Sequence, residues 1–423
     1  MNETFEIPNE EIISDSRKNL ENLVQFRELL INLGINAQHS RIAKYINFFE
    51  ALYKNSDFDP SKIFTEKHDD RFRTISDWTV YTLRECSELY WIYRALKIQM
   101  PKGVKEKLQI INSGKDFTAF DTNSTSRDTQ FELRIASYFC KNDLIIDVST
   151  ETDIIVEFEN FFLYIECKRI HSEKKLMRKI YEANDQLKSR MPKKRGNKPC
   201  YGIIAIDVTA LAYPHQGLVF GVTSEHVRQL IREKLFHIAS NINSGSVMAQ
   251  NLRLLTIWEN IHIPARKMQP PGIETFFSCN FISKQFQHRC EKQKFTQIRN
   301  IIEATIEEST KENIVRKLTF RKKISLPKEF VFEYNNSLLQ QFFDNNEYIK
   351  KNWMDLDPIC KAEYKEDKIY FSVLEFAMAL DEIDGKNEIA KVDKFPLEIL
   401  LNMLIKRFPY NEIGPKWLNS EED

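Results

Sequence analysis

The chain has 423 residues, with 61 Lys and Arg against 61 Asp and Glu, and 42% of its residues are hydrophobic. That length predicts two or three domains with at least one full apolar core, and the zero balance argues against a protein coated in positive charge while permitting a local nucleic-acid site. The seven cysteines are odd in number and none lies closer than eleven residues to another, which speaks against zinc-type Cys-x-x-Cys sites and for buried thiols in a reduced cytosolic protein.

The leader MNETFEIPNEEIISDS is acidic and lacks the basic start and apolar core of a signal peptide. No run reaches the roughly 18 apolar residues of a membrane span, so a soluble protein of the cytoplasm is expected. Residues 17–54 carry helical periodicity in two stripes, Leu20, Val24, Phe26, Leu29 and Leu30, then Ile42, Ile46, Phe49 and Leu52, separated near Gly34. A further helix is predicted over 76–99, with Leu83, Leu89, Ile92 and Leu96 inward. Residues 1–120 thus read as a helical N-terminal region. The Gly, Ser, Thr, Asn and Asp of 112–130 mark a boundary, and the helix after it, from about Asp128 to Phe139, places Glu132 near its first turn.

Leu144, Ile145, Ile146 and Val148 predict a first strand and Ile154, Ile155 and Val156 a second, with Asp153 at its start. Phe161 to Ile165 form an apolar third strand suited to burial on both faces. Glu159 and Asn160 make the connection short enough for a hairpin. Side chains alternate along a strand, so Glu166 and Lys168 share one face with Cys167 between them, and the hairpin carries Asp153 back beside them. The simpler reading of Glu166 and Lys168 alone is an ion pair at a sheet edge.

From Glu173 to about Met191 the period is helical, with Leu176, Ile180, Ala183 and Leu187 inward and Gln186 beside that stripe. The loop that follows is basic: from Ile165 to Cys200 there are twelve Lys or Arg and four Asp or Glu. Lys188, Arg190, Lys193, Lys194 and Arg195 are candidate phosphate contacts, against the plainer reading of a solvated helix face. Strands are predicted over 201–208, 217–222 and 252–258, and a helix over 224–238. Past Pro270 and Pro271 the pattern loosens. Helix over 291–316, short strand-like runs within 317–334 and helices over 374–383 and 397–408 give a mostly helical C-terminal region, 271–423.

The order helix, three strands, helix, strand, with Asp153, Glu166, Cys167 and Lys168 on the second and third strands, resembles the restriction-endonuclease-like or PD-(D/E)XK nuclease superfamily. Thr152 stands where that family often has proline, and the resemblance covers about residues 125–260. It implies an α/β fold with an αβββαβ core and a mixed central sheet over 121–270. It also implies roles. Glu132 corresponds to the family's helical glutamate and Gln186 to a glutamine often found near its active centre. Activity would be metal-dependent cleavage of phosphodiester bonds, in DNA rather than RNA, in a setting such as bacterial restriction or anti-phage defence.

Phosphodiester hydrolysis needs an activated water and neutralisation of charge developing at phosphorus. Asp153 and Glu166 offer the hard oxygens that Mg²⁺ or Mn²⁺ takes, with the Cys167 carbonyl as a further ligand and Glu132 holding a metal-bound water or a second ion. Lys168 has two roles open to it: orienting or deprotonating the water, or compensating phosphate charge. His171 falls just past the strand and reads as a surface or phosphate-contacting residue rather than a general base. No Gly-rich phosphate loop and no Gly-x-Ser-x-Gly motif is present, so neither an ATPase nor a serine hydrolase is expected. A double-strand cut calls for two active sites and hence a homodimer or a protein partner. The alternative function is a non-catalytic nucleic-acid-binding or assembly module of a larger complex.

Overall fold

The structure, a computed structural model, describes residues 3–13, 16–54, 58–65, 72, 74–118, 124–140, 144–213, 219–221, 224–268, 271–286, 288–312, 316–344 and 357–373, with 375, 376, 379, 397, 399–401, 403 and 404. It divides into two compact units, Ser14–Lys267 with Ile273–Ile314, and Met1–Ile13 with Met268–Gly272 and Val315–Asp423.

The chain opens with strand β1 (Glu3–Ile13) and helices α1 (Ser16–Asn32), α2 (Arg41–Lys54), α3 (Ile75–Ile98), α4 (Val104–Asn112) and α5 (Thr125–Ser137). Then come β2 (Ile145–Asp147), β3 (Ile154–Glu157), β4 (Phe162–Arg169), α6 (Glu173–Arg190), β5 (Lys194–Arg195), β6 (Lys198–Asp207) and the single turn α7 (Thr209–Ala212). The remaining elements are β7 (Val219–Gly221), α8 (Ser224–Ser240), α9 (Ser244–Gln250), β8 (Leu254–Met268), β9 (Pro271–Ser283), α10 (Arg289–Glu312), β10 (Arg316–Leu326), β11 (Val331–Tyr334), α11 (Asn336–Asp344), β12 (Cys360–Tyr364) and β13 (Asp367–Phe371).

The larger unit is α/β, built on a mixed sheet in the order β2-β3-β4-β6-β8-β7, with β5 paired to β6 and β9 to β8. β2, β3 and β4 run antiparallel, whereas β4, β6, β8 and β7 are parallel. β4 is central, and its alternation sends Leu163, Ile165 and Cys167 into one apolar layer and Phe162 and Tyr164 into another. The first layer is filled by α1 to α5 and by Ile298 and Ile302 of α10, the second by Leu176, Ile180, Ala183 and Leu187 of α6 and by α8 and α9. Helices on both faces make β4 a strand that meets no solvent along most of its length, as its unbroken apolar run predicts.

The periodic helices lie where their stripes place them, and α3 starts on a capping box in which Thr74 and Asp77 satisfy each other's backbone N–H. Three differences follow from contacts remote in sequence. α5 begins at Thr125, so Glu132 stands in its interior rather than near its first turn. β8 runs on to Met268, and β9 pairs with it where the sequence pattern loosens past Pro270. In the smaller unit the acidic leader is a strand, β1, paired antiparallel with β10, and β11, β12 and β13 form a three-stranded sheet. The described part of the C-terminal region is therefore richer in strand than the expected helical character, because FVFEY and its neighbours find cross-strand partners. The helices predicted over 374–383 and 397–408 lie largely outside the described residues. Among the described residues no helix is long and apolar enough to cross a membrane.

A backbone splice joins α4 to the sheet. Lys102 N donates to Ile146 O and Val148 N to Lys102 O, both at 2.9 Å, and Gly103 follows at φ +80°. A Cβ on Gly103 would stand 2.8 Å from Ser149 Cα and 2.9 Å from its N. Gly196, at φ +60° in the β5–β6 turn, faces open space. Gly103→Ala is therefore expected to cost about 2–3 kcal/mol and Gly196→Ala about 1–2 kcal/mol, in that order, by urea denaturation of the full chain.

Candidate active site

The β3–β4 register pairs Ile154 with Ile165, so the next residue outward, Asp153, comes level with Glu166. The carboxylate is fixed there: Cys167 N donates to Asp153 Oδ2 at 2.7 Å. Glu166 is fully buried, and Lys168 Nζ lies 3.8 Å from its Oε2 on the same strand face. Arg190, from the last turn of α6, donates from Nη1 to Glu166 Oε1 at 2.9 Å. Glu132, on α5, is bonded to Lys107 of α4 and lies near enough to Asp153 to feel its charge.

The electrostatics confirm that these carboxylates share one field. Burial, then the Asp153 charge, pushes Glu166 up to about 7 against the pull of Lys168 and Arg190. Burial and Asp153 push Glu132 up to about 7 as well, against Lys107. The Cys167 thiol is raised by burial and by Asp153 and Glu132 in turn, and points into the apolar layer on the other side of the sheet. Near neutral pH the cluster thus holds protons that isolated carboxylates would have lost.

Asp153, Glu166, Lys168 and the Cys167 main chain therefore meet, with Glu132 within the field of Asp153. Gln186 lies one helical turn before Arg190 and hence on the same face of α6, and its Oε1 is buried with no hydrogen-bond partner, as is Glu166 Oε2. The basic residues divide. Arg190 is a counter-ion of Glu166 rather than an exposed phosphate contact, and Lys188 pairs with Asp185 at 2.6 Å. Lys193, Lys194 and Arg195 are exposed on the β5–β6 hairpin, with the Arg195 guanidinium 5.0 Å from the Phe162 ring centroid. Phe162 begins β4 whereas Glu166 and Lys168 lie four and six residues on, so the hairpin is offset from the carboxylates by roughly 13–20 Å along the strand. His171 is exposed beyond the strand.

Sequence reasoning missed Lys107 as a partner of Glu132 and Arg190 as a partner of Glu166. Spacing from Gln186 carried the only signal for Arg190. Lys107, 25 residues before Glu132, had none. Among the described residues, no group of three or more His, Cys, Asp or Glu side chains is placed to enclose a metal ion. No family model matches the chain, and no curated protein matches it.

The partners give a titration test. Glu166 is expected to titrate near pH 7, and Arg190→Ala, which removes a neighbouring cation, should move that midpoint upward. Lys107→Ala should do the same for Glu132. Carboxyl ¹³C shifts followed from pH 4 to 9 would check both, and a Glu166 midpoint that stays put in Arg190→Ala would refute the pairing.

Proposed function

We infer that this chain is a metal-dependent nuclease that hydrolyses phosphodiester bonds, with DNA as the favoured substrate. The observation that carries this reading is the meeting of Asp153, Glu166, Lys168 and Glu132 at one end of the β3–β4 hairpin, where Glu166 Oε2 is buried without a hydrogen-bond donor. The antiparallel β2-β3-β4 followed by parallel β6, with α5 before and α6 between, supports it as the strand order of the restriction-endonuclease-like core.

The donor set suits Mg²⁺ or Mn²⁺, which take carboxylate and carbonyl oxygens and keep several waters. Asp153, Glu166 and the Cys167 main chain would hold the ion, with Glu132 beside it. When bound, such an ion neutralises phosphate charge and makes a water more acidic. The chain's own groups do the rest. Lys168, held at the edge of the cluster, supplies a cation for the scissile phosphate or orients the attacking water. Gln186 Oε1 offers a second acceptor for that water. Arg190 stabilises Glu166 as an anion, and Lys193, Lys194 and Arg195 would meet the backbone of the nucleic acid about four to six nucleotides from the cut, at ~3.4 Å per nucleotide.

A second reading has its own support. Each carboxylate already has a protein partner, Asp153 in Cys167 N, Glu166 in Arg190 and Glu132 in Lys107, as expected of a nucleic-acid-binding or assembly module that uses the same fold without cleavage.

Cleavage of linear, supercoiled and single-stranded DNA and of RNA, with Mg²⁺, Mn²⁺ or chelator, separates the two. Metal-dependent cutting should fall by about 100-fold or more in Asp153→Ala and Lys168→Ala. Binding without cutting, unchanged in both folded variants, would favour the module. In either case the Lys193, Lys194 and Arg195 triple alanine variant should lower the slope of log affinity against log salt by up to about 2.7 on duplex DNA.

A further inference from the structure

The carboxylates at the end of the β3–β4 hairpin are already matched by cations of the chain. Glu166 is held by Arg190 and Glu132 by Lys107, Asp153 accepts from the Cys167 N–H, and Lys168 Nζ stands 3.8 Å from Glu166 Oε2. Asp128 and Glu182, whose charges also touch this field, have cations of their own: Arg169 lies 3.8 Å from Asp128 and Lys179 2.8 Å from Glu182. With Asp153, Glu166 and Glu132 ionised, the charges of Lys107, Lys168 and Arg190 leave the cluster neutral. A divalent cation on Asp153 and Glu166 adds two positive charges to a group that is mostly buried, where like charges repel more strongly than in water. That excess is relieved when a resident cation leaves, when an anion arrives, or by both together.

The resident cations are not equally free to leave. The Lys107 and Lys168 side chains are 17% and 18% exposed, and that of Arg190 is 27% exposed. Among the described residues Arg190 makes one protein hydrogen bond from its side chain, Nη1 to Glu166 Oε1 at 2.9 Å, and none of its nitrogens is both buried and unpaired. The rest of the guanidinium therefore reaches solvent.

Its place in the chain supplies an alternative partner. Arg190 closes α6, and only Met191 and Pro192 separate it from the exposed Lys193, Lys194 and Arg195. Arg253 donates to the carbonyls of both intervening residues, at 3.1 Å to Met191 O, and Met191 is itself buried. The backbone beside Arg190 is pinned in this way, so a change of partner falls to the side chain alone. A guanidinium pairs with phosphate oxygens through the same fork that it offers a carboxylate.

We propose that Arg190 is an exchangeable counter-ion, which neutralises Glu166 in the metal-free protein and moves to a backbone phosphate of the nucleic acid, between the cut and the hairpin, when the divalent cation binds. This rests on the nuclease reading, because it needs a cation at Asp153 and Glu166. Arg190 is then a substrate contact of the loaded protein, and its exchange couples the two ligands. Metal on Glu166 frees the guanidinium for phosphate, and phosphate that holds the guanidinium frees Glu166 for metal. Each ligand thus raises the affinity for the other by the same factor.

The full chain is titrated calorimetrically with Mg²⁺ at pH 8.5, above the Glu166 midpoint of about 7, as wild type, Arg190→Gln and Arg190→Lys. Arg190→Gln removes the charge and should bind Mg²⁺ about tenfold tighter or more, whereas Arg190→Lys keeps it and should stay within about threefold of wild type. Mg²⁺ should also tighten the binding of a cleavage-resistant phosphorothioate duplex more in wild type than in Arg190→Gln, by about fivefold or more. In wild-type protein labelled with ¹⁵N-arginine, the Arg190 Nε signal should shift along the Mg²⁺ saturation curve, a readout that needs no variant to fold. Failure of both wild type and Arg190→Gln to bind Mg²⁺ would sink the nuclease reading itself. Mg²⁺ binding that is equal or weaker in Arg190→Gln, an equal gain on the duplex in both proteins, or an Arg190 signal that stays put while Mg²⁺ saturates would overturn the exchange and leave the nuclease reading standing.

Discussion

The constraint on which the larger unit depends is that β4 is buried on both faces and yet ends in Glu166, Lys168 and Arg169. An ionised group taken out of water costs several kcal/mol unless it is paired and hydrogen-bonded. The strand alternates, so its charges divide between two layers, and each layer must supply its own compensation. On the α6 side Glu166 meets Arg190 and Lys168. On the α3 and α5 side Arg169 meets Asp207, behind which stand the arginines and glutamates of α3 and α5. Two polar centres back to back are the direct result of a charged end on a doubly buried strand.

The sheet topology decides that both centres lie at the same end. Parallel pairing of β4, β6 and β8 brings their carboxyl ends together, with Arg169 beside Asp207 and Asp207 beside Asn260. Their amino-terminal halves hold Phe162, Leu163 and Cys200, which feed the apolar layers. Antiparallel β3 enters from the opposite direction, so the start of that strand, Asp153, arrives where β4 is ending. A parallel β3 would have delivered its other end, Glu157, in place of Asp153.

What was legible in the sequence follows from range. Asp153, Glu166 and Lys168 are linked by one tight hairpin, so strand alternation and a short turn fix their meeting from local information. The stripe of α6 was equally local. Arg190 and Lys107 were not legible as counter-ions, because a basic residue on a helix reads as solvated until the element opposite it is known. The same holds for Arg84, Glu85, Glu88 and Arg127: on an isolated helix they look like exposed charge, and only the packing of α3 and α5 against the sheet buries them. β9 was hidden because its partner, β8, ran past the boundary that two prolines suggested.

Both polar centres are costly to bury. Replacing a buried ionic cluster by well-packed apolar side chains is often neutral or stabilising by about 1–4 kcal/mol. A buried polar atom left without a partner costs about 1–3 kcal/mol, against a net stability of only about 5–15 kcal/mol for a typical domain. Glu166 Oε2, Gln186 Oε1 and His262 Nε2 are all in that position with respect to the rest of the chain. Glu166 Oε2 keeps the Lys168 ammonium 3.8 Å away, an ion pair without a hydrogen bond, so the carboxylate layer is a partly satisfied network that a packed apolar layer would not contain.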